Sequence, residues 1–341
     1  MLVNKILSLS SLSIIGMEKN AGKTTALNYI LEEARKRGNN RTFALTSIGR
    51  DGEQKDMVTS THKPRIYVEA GTLIATAKDM IKRGDVTKEI IESTDITSAI
   101  GNIVLFRALS DGYVEIAGPS SVSGSAKVKD LFFNVDPDCI FIVDGALSRK
   151  STAGHFLSDA ALLATGASVG RNIYNVVEKT VHVVNLFALK KVSENIRKIV
   201  NNTAEDEHIV LFGDKIKKVK TKVAFSTAKE LSEIMDDSIH TICIKGALTQ
   251  KFVFDLSTYV DLKGRTIVAQ DATRIIIDHK SYAKFKMMGI HFAVLDEIEI
   301  IGITINPFSP RGTDFDSSKF EHMLKEHVSI PVIDVLREKG C

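Results

Sequence analysis

"SLSIIGMEKNAGKTTALNYI", residues 11–30, is the stretch whose reading decides the fold. The run "SLSIIG" predicts a buried strand that ends at Gly16, and "GKTTALNYILEEARKRG" predicts an amphipathic helix that stops at Gly38 after a basic last turn suited to its C-terminus. Between them lies a polar loop. A strand, a loop and a helix that opens on Gly22-Lys23-Thr24-Thr25 form the context a phosphate-binding loop requires. The first backbone N–H groups of the helix point at the anion, and the helix dipole favours it. In this reading Gly22 lets the backbone approach closely, Lys23 reaches the β- and γ-phosphate oxygens, the Thr24 hydroxyl ligates Mg²⁺, and Thr25 meets the α-phosphate. The residues expected around the phosphates are Gly16, Lys19, Asn20, Ala21, Gly22, Lys23, Thr24 and Thr25. The common spacing GxxxxGK[ST] would put the first glycine at position 17, where this chain has Met17; the glycine is Gly16. The competing reading is an ordinary strand-to-helix turn that contains GKT by chance.

Outward from this stretch, short apolar runs alternate with helical patterns. "RTFALTSIG" and "CIFIVDGAL" read as buried strands. "RIYVEAGTLIATAKDMIKRG" begins extended and becomes helical, and "NIVLFRALSDGYVEIAG" reads as a β-hairpin about Asp111-Gly112. In the second half, "VHVVNLFAL", "TICIKGAL", "TIVAQDA", "FAVLDEIEIIGITINPF" and "IPVIDV" read as further strands with helices between several of them. Continuous apolar strands in a β–α–β rhythm imply an α/β fold, a mostly parallel sheet flanked by helices. The 341 residues carry no Pro/Gly-rich linker, no low-complexity segment and no repeat of fixed period, so residues 1–341 read as one large α/β domain, with about 185–290 an expanded or inserted α/β region. The lysine alternation in "GDKIKKVKTKVAF" reads as a protected edge strand in preference to a nucleic-acid face.

Two carboxylates follow apolar strands and are candidates for the Mg²⁺ site. Asp144 follows "CIFIV" and reads as the carboxylate of a Walker B strand. Asp51 follows "FALTSIGR", the position after a second strand where a resemblance to P-loop proteins of the nitrogenase iron protein class implies a switch aspartate, with a catalytic role beside Lys23; Glu53 and Asp56 are alternates in the same loop. Aspartate at a strand end is equally suited to capping a helix or forming a turn. Arg149 and Lys150 either supply positive charge to the γ-phosphate or are solvated. "GPSSVSGSAKV", residues 118–128, reads either as a second anion-binding nest or as a flexible loop, and "ATGASVGRN", residues 164–172, as a helix end and turn.

Composition narrows the function classes. Hydrophobic residues are 44% and charged residues 26%, ordinary for a soluble globular chain, and the net charge of +3 is too small to imply nucleic acid or a membrane surface as partner. No run reaches the length of a membrane span, and "ILSLSSLSII" lacks the small-residue cleavage site of a signal peptide. Cys139, Cys243 and Cys341 are far apart and form no CxxC pair, which fits a reducing, cytoplasmic compartment. His240 and Cys243 are read as core.

The loop "GMEKNAGKTT", with its first glycine seven positions before the lysine, resembles that of dethiobiotin synthetase. That family belongs with nitrogenase iron protein, MinD-like ATPases and metallocentre-assembly NTPases. The resemblance implies a P-loop NTPase in which the phosphate loop follows a central strand of a parallel sheet. Lys19 stands one residue later than the signature lysine of MinD-like members and is not given its trans-acting role. "IGITINPFSPRGTDFDSSKFEHMLKEHVSIPVIDV" is similar to the C-terminal segment of the dethiobiotin synthetase-like proteins, which implies that Asn306 contacts the purine and Pro307 shapes the loop against it. "DGALSRKS" departs from the family's Walker B region, and residues 185–290 are not covered. A closer resemblance, carried by "GMEKNAGKTTALNYI", "LTSIGRDGE", "VEIAGPSSVSGSAKV", "VDGALSRKS" and "NPFSPRG", is to the smaller, ATP-binding subunit of the lysine 5,6-aminomutase reactivases. It implies ATP and Mg²⁺ as cofactors, ATPase activity, an amino-acid-fermenting anaerobe, and two partners: a MutS-related larger subunit and a cobalamin-dependent aminomutase. ATP over GTP comes from the resemblance, since no NKxD-type guanine reader is present. A homodimer fits the same class. The alternative is a dethiobiotin synthetase-like ligase or kinase acting on a small metabolite, with residues 118–128 as its substrate site.

Overall fold

The computed structural model describes residues 2–48, 65–146, 158–204, 206–220, 227–310 and 312–338. Asp51, Glu53, Asp56, Arg149, Lys150 and Cys341 lie outside the described residues. In chain order the first elements are α1 (Leu2–Leu7), β1 (Ser11–Gly16), α2 (Lys23–Lys36), β2 (Phe43–Ser47), β3 (Ile66–Val68), β4 (Leu73–Ala77), β5 (Lys88–Ser98), β6 (Gly101–Ala108), β7 (Gly112–Val114), α3 (Val122–Val135), β8 (Ile140–Ala146) and β9 (Ala160–Gly166). There follow α4 (Ile173–Phe187), α5 (Glu194–Asn201), β10 (Glu207–Phe212), β11 (Lys217–Lys220), α6 (Thr227–Ile234), β12 (Thr241–Ile244), β13 (Leu248–Thr249), α7 (Gln250–Ser257), β14 (Thr266–Ala269), β15 (Ile275–Ile276), α8 (His279–Met287), β16 (His291–Val294), β17 (Glu299–Asn306), α9 (Ser317–Lys325), β18 (Val332–Asp334) and α10 (Val335–Glu338).

The chain divides into two compact units, Met1–Val181 with Glu299–Cys341, and His182–Ile298. The first is built on a nine-stranded sheet in the order β18-β17-β9-β1-β8-β2-β4-β6-β5. Every neighbouring pair from β18 to β4 is parallel; β6 runs antiparallel to β4 and to β5. The sheet is covered on both faces, as its apolar strands require. Alternate residues sort the faces. Leu12, Ile14, Leu45, Ile140 and Ile142 join Ile6 of α1 and Leu27 and Ile30 of α2 in one core cluster, while Ala44, Phe141 and Val143 join Val128 and Phe132 of α3 in another.

The second unit has its own five-stranded sheet, ordered β11-β10-β12-β14-β16, with β12, β14 and β16 parallel. Its core includes Val200, Val210, Phe212, Cys243, Val268 and Leu295. Cys243 is buried and its thiol is pushed up to about 12 by burial, so it is a packing residue. The lysine-rich β11 lies at the edge of this sheet.

Four sequence expectations are corrected. The hairpin about Asp111-Gly112 does not form: β7 pairs with β3, β6 pairs with β5, and the Asp111 carboxylate accepts the Ala70 N–H at 2.9 Å. "VHVVNLFAL" lies mostly in α4 and is no strand, because Val176, Val177, Thr180, Leu186 and Phe187 are buried at helical spacing. Residues 164–166, the start of "ATGASVGRN", end strand β9 and not a helix. The apolar run "ILSLSSLSII", which a buried first strand would explain, is strand only in its later part, β1; its first two residues, Ile6 and Leu7, end helix α1.

Candidate phosphate-binding site

β1 is fully buried between β8 and β9, and Gly16, its last residue, pairs with Ala146 and Ala164. The Met17 N–H still donates to the Ala164 carbonyl at 3.0 Å, after which the chain leaves the sheet. Residues 18–20 are exposed, and α2 begins at Lys23 with Gly22 as N-cap in the left-handed region, φ 95°. Glycine tolerates that conformation and offers no side chain, so no side chain caps α2. The first N–H groups of a helix have no partner within it. Here they open at the carboxyl end of a central parallel strand, the edge at which open α/β sheets bind ligands.

Lys23 turns back over Gly16: a Cβ added to Gly16 would sit 2.8 Å from both Cγ and Cδ of Lys23 and 3.0 Å from its Nζ. The absent side chain at position 16 therefore makes the channel through which the lysine lies, and this accounts for a glycine seven positions before it. Thr24 and Thr25 are half-buried in the first turn of α2, and Ala21 is buried below the loop.

Asp144 lies within β8, level with Ile14 of β1 and Ser47 of β2, inside the "CIFIVDGAL" run read as a buried strand. It is buried, and by alternation with Ile140 and Ile142 it is on the sheet face that packs α2. Asp144 is thus set level with the residue two before Gly16, on the sheet face covered by α2, the helix that follows the loop. Among the described residues no group of three or more His, Cys, Asp or Glu side chains converges as a metal site. A divalent ion held by Thr24 and Asp144 would take most of its ligands from phosphate and water.

Asn306, the last residue of β17, reaches the same loop. Its Nδ2 donates to the Asn20 carbonyl at 3.0 Å, and its Oδ1 accepts the Phe308 N–H at 3.2 Å. Pro307 is buried and its carbonyl accepts the Phe315 N–H at 2.9 Å. The structure thus brings Gly16, Lys19, Asn20, Ala21, Gly22, Lys23, Thr24, Thr25, Asp144 and Asn306 to one edge of one sheet. Gly166 joins them although sequence reasoning passed it over; it is level with Asn306 on β9, and a Cβ there would lie 2.3 Å from the Asn306 carbonyl oxygen.

Residues 118–128 form neither a flexible loop nor a free nest. The Gly118 N–H donates to Ser47 Oγ at 3.0 Å, and a Cβ on Gly118 would lie 1.8 Å from the Ser47 carbonyl oxygen. Ser121 is the N-cap of α3, accepting the Gly124 N–H at 3.0 Å, and the Ser120 and Ser125 N–H groups also donate within the protein. No protein-family profile, curated protein or solved structure matches the chain.

Proposed function

We propose that the unit formed by Met1–Val181 and Glu299–Cys341 binds ATP with Mg²⁺ at the carboxyl end of β1 and hydrolyses it as a P-loop ATPase. The observation that carries this reading is the Gly16–Lys23 pair: a lysine folded over a glycine at the end of a central parallel strand, beside a helix start that no side chain caps. Lys23 places its charge among the open amides. Thr24 offers a hydroxyl for the ion, and Asp144 supplies a carboxylate on the α2 face of the neighbouring strand. An ion held by Thr24 and Asp144 would supply positive charge against that of the phosphates. Asp51, beyond the described residues, is the candidate for sensing the γ-phosphate.

The nucleotide switches the chain's action on a protein partner. The motif resemblance along residues 16–155 and 306–312 favours the smaller subunit of a reactivating factor for a cobalamin-dependent lysine 5,6-aminomutase, working with a MutS-related larger subunit. The metabolite-ligase reading relies on residues 118–128 as a substrate site, and much of that segment is engaged in capping α3 and in packing on β2.

Lys23→Ala tests the assignment. ATP affinity and phosphate release are measured for both proteins, each alone and with the aminomutase and the larger subunit. The expected result is at least a hundredfold loss of turnover in the variant, about 2.7 kcal/mol, together with stimulation of the unaltered protein by its protein partners. Equal hydrolysis by both proteins removes the phosphate-loop reading. Stimulation by a small carboxylate or amine alone would move the protein to the ligase class.

A further inference from the structure

We propose that Asn306 is a positioning residue that holds the phosphate loop in its binding shape, acting through Asn20 and not through a nucleobase. The inference rests on the nucleotide-binding reading above and departs from the base-contact role that the family resemblance implies.

Asn20 has φ 63° and is the non-glycine residue with positive φ among the described residues. Asparagine visits the left-handed region more readily than most residues, yet still at a cost. Residues 18–20 are exposed, and the Ala21 N–H reaches the Glu18 carbonyl at 3.4 Å. A restraint from outside the loop is the Asn306 amide on the Asn20 carbonyl, at 3.0 Å.

Asn306 is itself fixed. It ends β17 in register with Gly166. A Cβ on Gly166 would come within 2.9 Å of the Asn306 Cβ, and one on Gly22 within 3.1 Å of it. Two glycines therefore make the slot in which this side chain stands, one of them the N-cap of α2. Its Oδ1 is engaged by the Phe308 N–H. Both ends of the amide serve the protein: one fixes the turn that Asn306 begins, the other fixes the peptide that precedes Ala21 and Gly22. Because the direction of the amides at the start of α2 follows from that peptide, loss of the restraint weakens phosphate binding whatever base is attached.

The test compares a base-bearing probe with a base-free one. Mg²⁺-ATP and Mg²⁺-tripolyphosphate are titrated calorimetrically into the full chain and into Asn306→Ala and Asn306→Leu, each below its own unfolding transition. Leucine keeps the volume between the two glycines, so a packing loss is separated from the loss of the hydrogen bond. The expected result is a fall of about five- to tenfold in affinity for both probes in both variants, the scale of one hydrogen bond, with the ATP-to-tripolyphosphate ratio unchanged. A fall for ATP alone would assign Asn306 to the base and overturn the inference, as would unchanged affinity for both probes. If the unaltered protein binds neither probe, the nucleotide reading itself fails, and the inference with it.

Discussion

A single methyl group separates binding from folding at position 16. The three atoms nearest a Gly16→Ala Cβ all belong to the flexible Lys23 side chain, Cγ and Cδ at 2.8 Å and Nζ at 3.0 Å, so the fold can adjust by moving that side chain aside, and the site loses its lysine. Gly16→Ala is expected to lower ATP affinity about tenfold or more, roughly 1.4 kcal/mol, while the unfolding midpoint measured without nucleotide stays nearly constant. A large loss of stability would show that the channel is structural. Lys23, Thr24 and Gly22 were legible in the sequence because the helix start that presents them is a local event, encoded within residues 11–38. The Asn306–Asn20 contact was not, since its partners stand 286 positions apart and only the pairing of β17 with β9 brings them together. Gly166 was misread for the same reason: its lack of a side chain has meaning only beside Asn306.

Among the elements, α3 shows how a polar, glycine-bearing segment can be a helix start. Ser121 accepts the Gly124 N–H, and Ser125, wholly buried, donates from its hydroxyl to the Ser121 carbonyl at 3.1 Å. Ser121→Ala removes the cap and is expected to destabilise the first unit by about 1 kcal/mol. This is read as a lower urea midpoint at unchanged slope, whereas Ser121→Asp, which keeps an acceptor, retains the midpoint. Serines and glycines suit both caps and loops, so composition alone did not separate the two, and the buried contact of Gly118 with Ser47 decided it. The buried strands β1, β2 and β8 were legible as short apolar runs bounded by polar residues. The valine-rich "VHVVNLFAL" met the same test and is helical, because a short apolar run fits either period and the packing of α4 makes the choice. The Asp111-Gly112 turn failed as a hairpin signal because β6 already has both its neighbours, β4 and β5, leaving β7 to pair with β3.

At the scale of the whole molecule, no linker composition marks the passage between the units, because one boundary falls inside α4 and the other just ahead of β17. The His182–Ile298 unit contains residues 185–290, over which the resemblance does not extend, and its stability has an electrostatic feature of its own. Asp271 follows β14 and is buried, accepting the Thr273 N–H at 2.8 Å. Burial raises its pKa, and the charge of Asp296 adds to this, against lowering by Thr273 and Arg274. The folded state therefore holds this proton more tightly than the unfolded chain does. The stabilisation from that proton is full below the ordinary aspartate value of 3.8 and is lost as pH rises through the raised folded value, so above that range the buried carboxyl is a cost to the unit. Asparagine keeps the oxygen that Thr273 uses and removes the charge. Asp271→Asn is expected to slow exchange of the most protected amides of β12, β14 and β16 at pH 7, with the advantage shrinking on acidification and vanishing near pH 4, after correction for intrinsic exchange. Faster exchange in the variant at pH 7 would mean that the ionised carboxylate stabilises this unit through partners that outweigh its burial, and the direction of the shift would then be wrong.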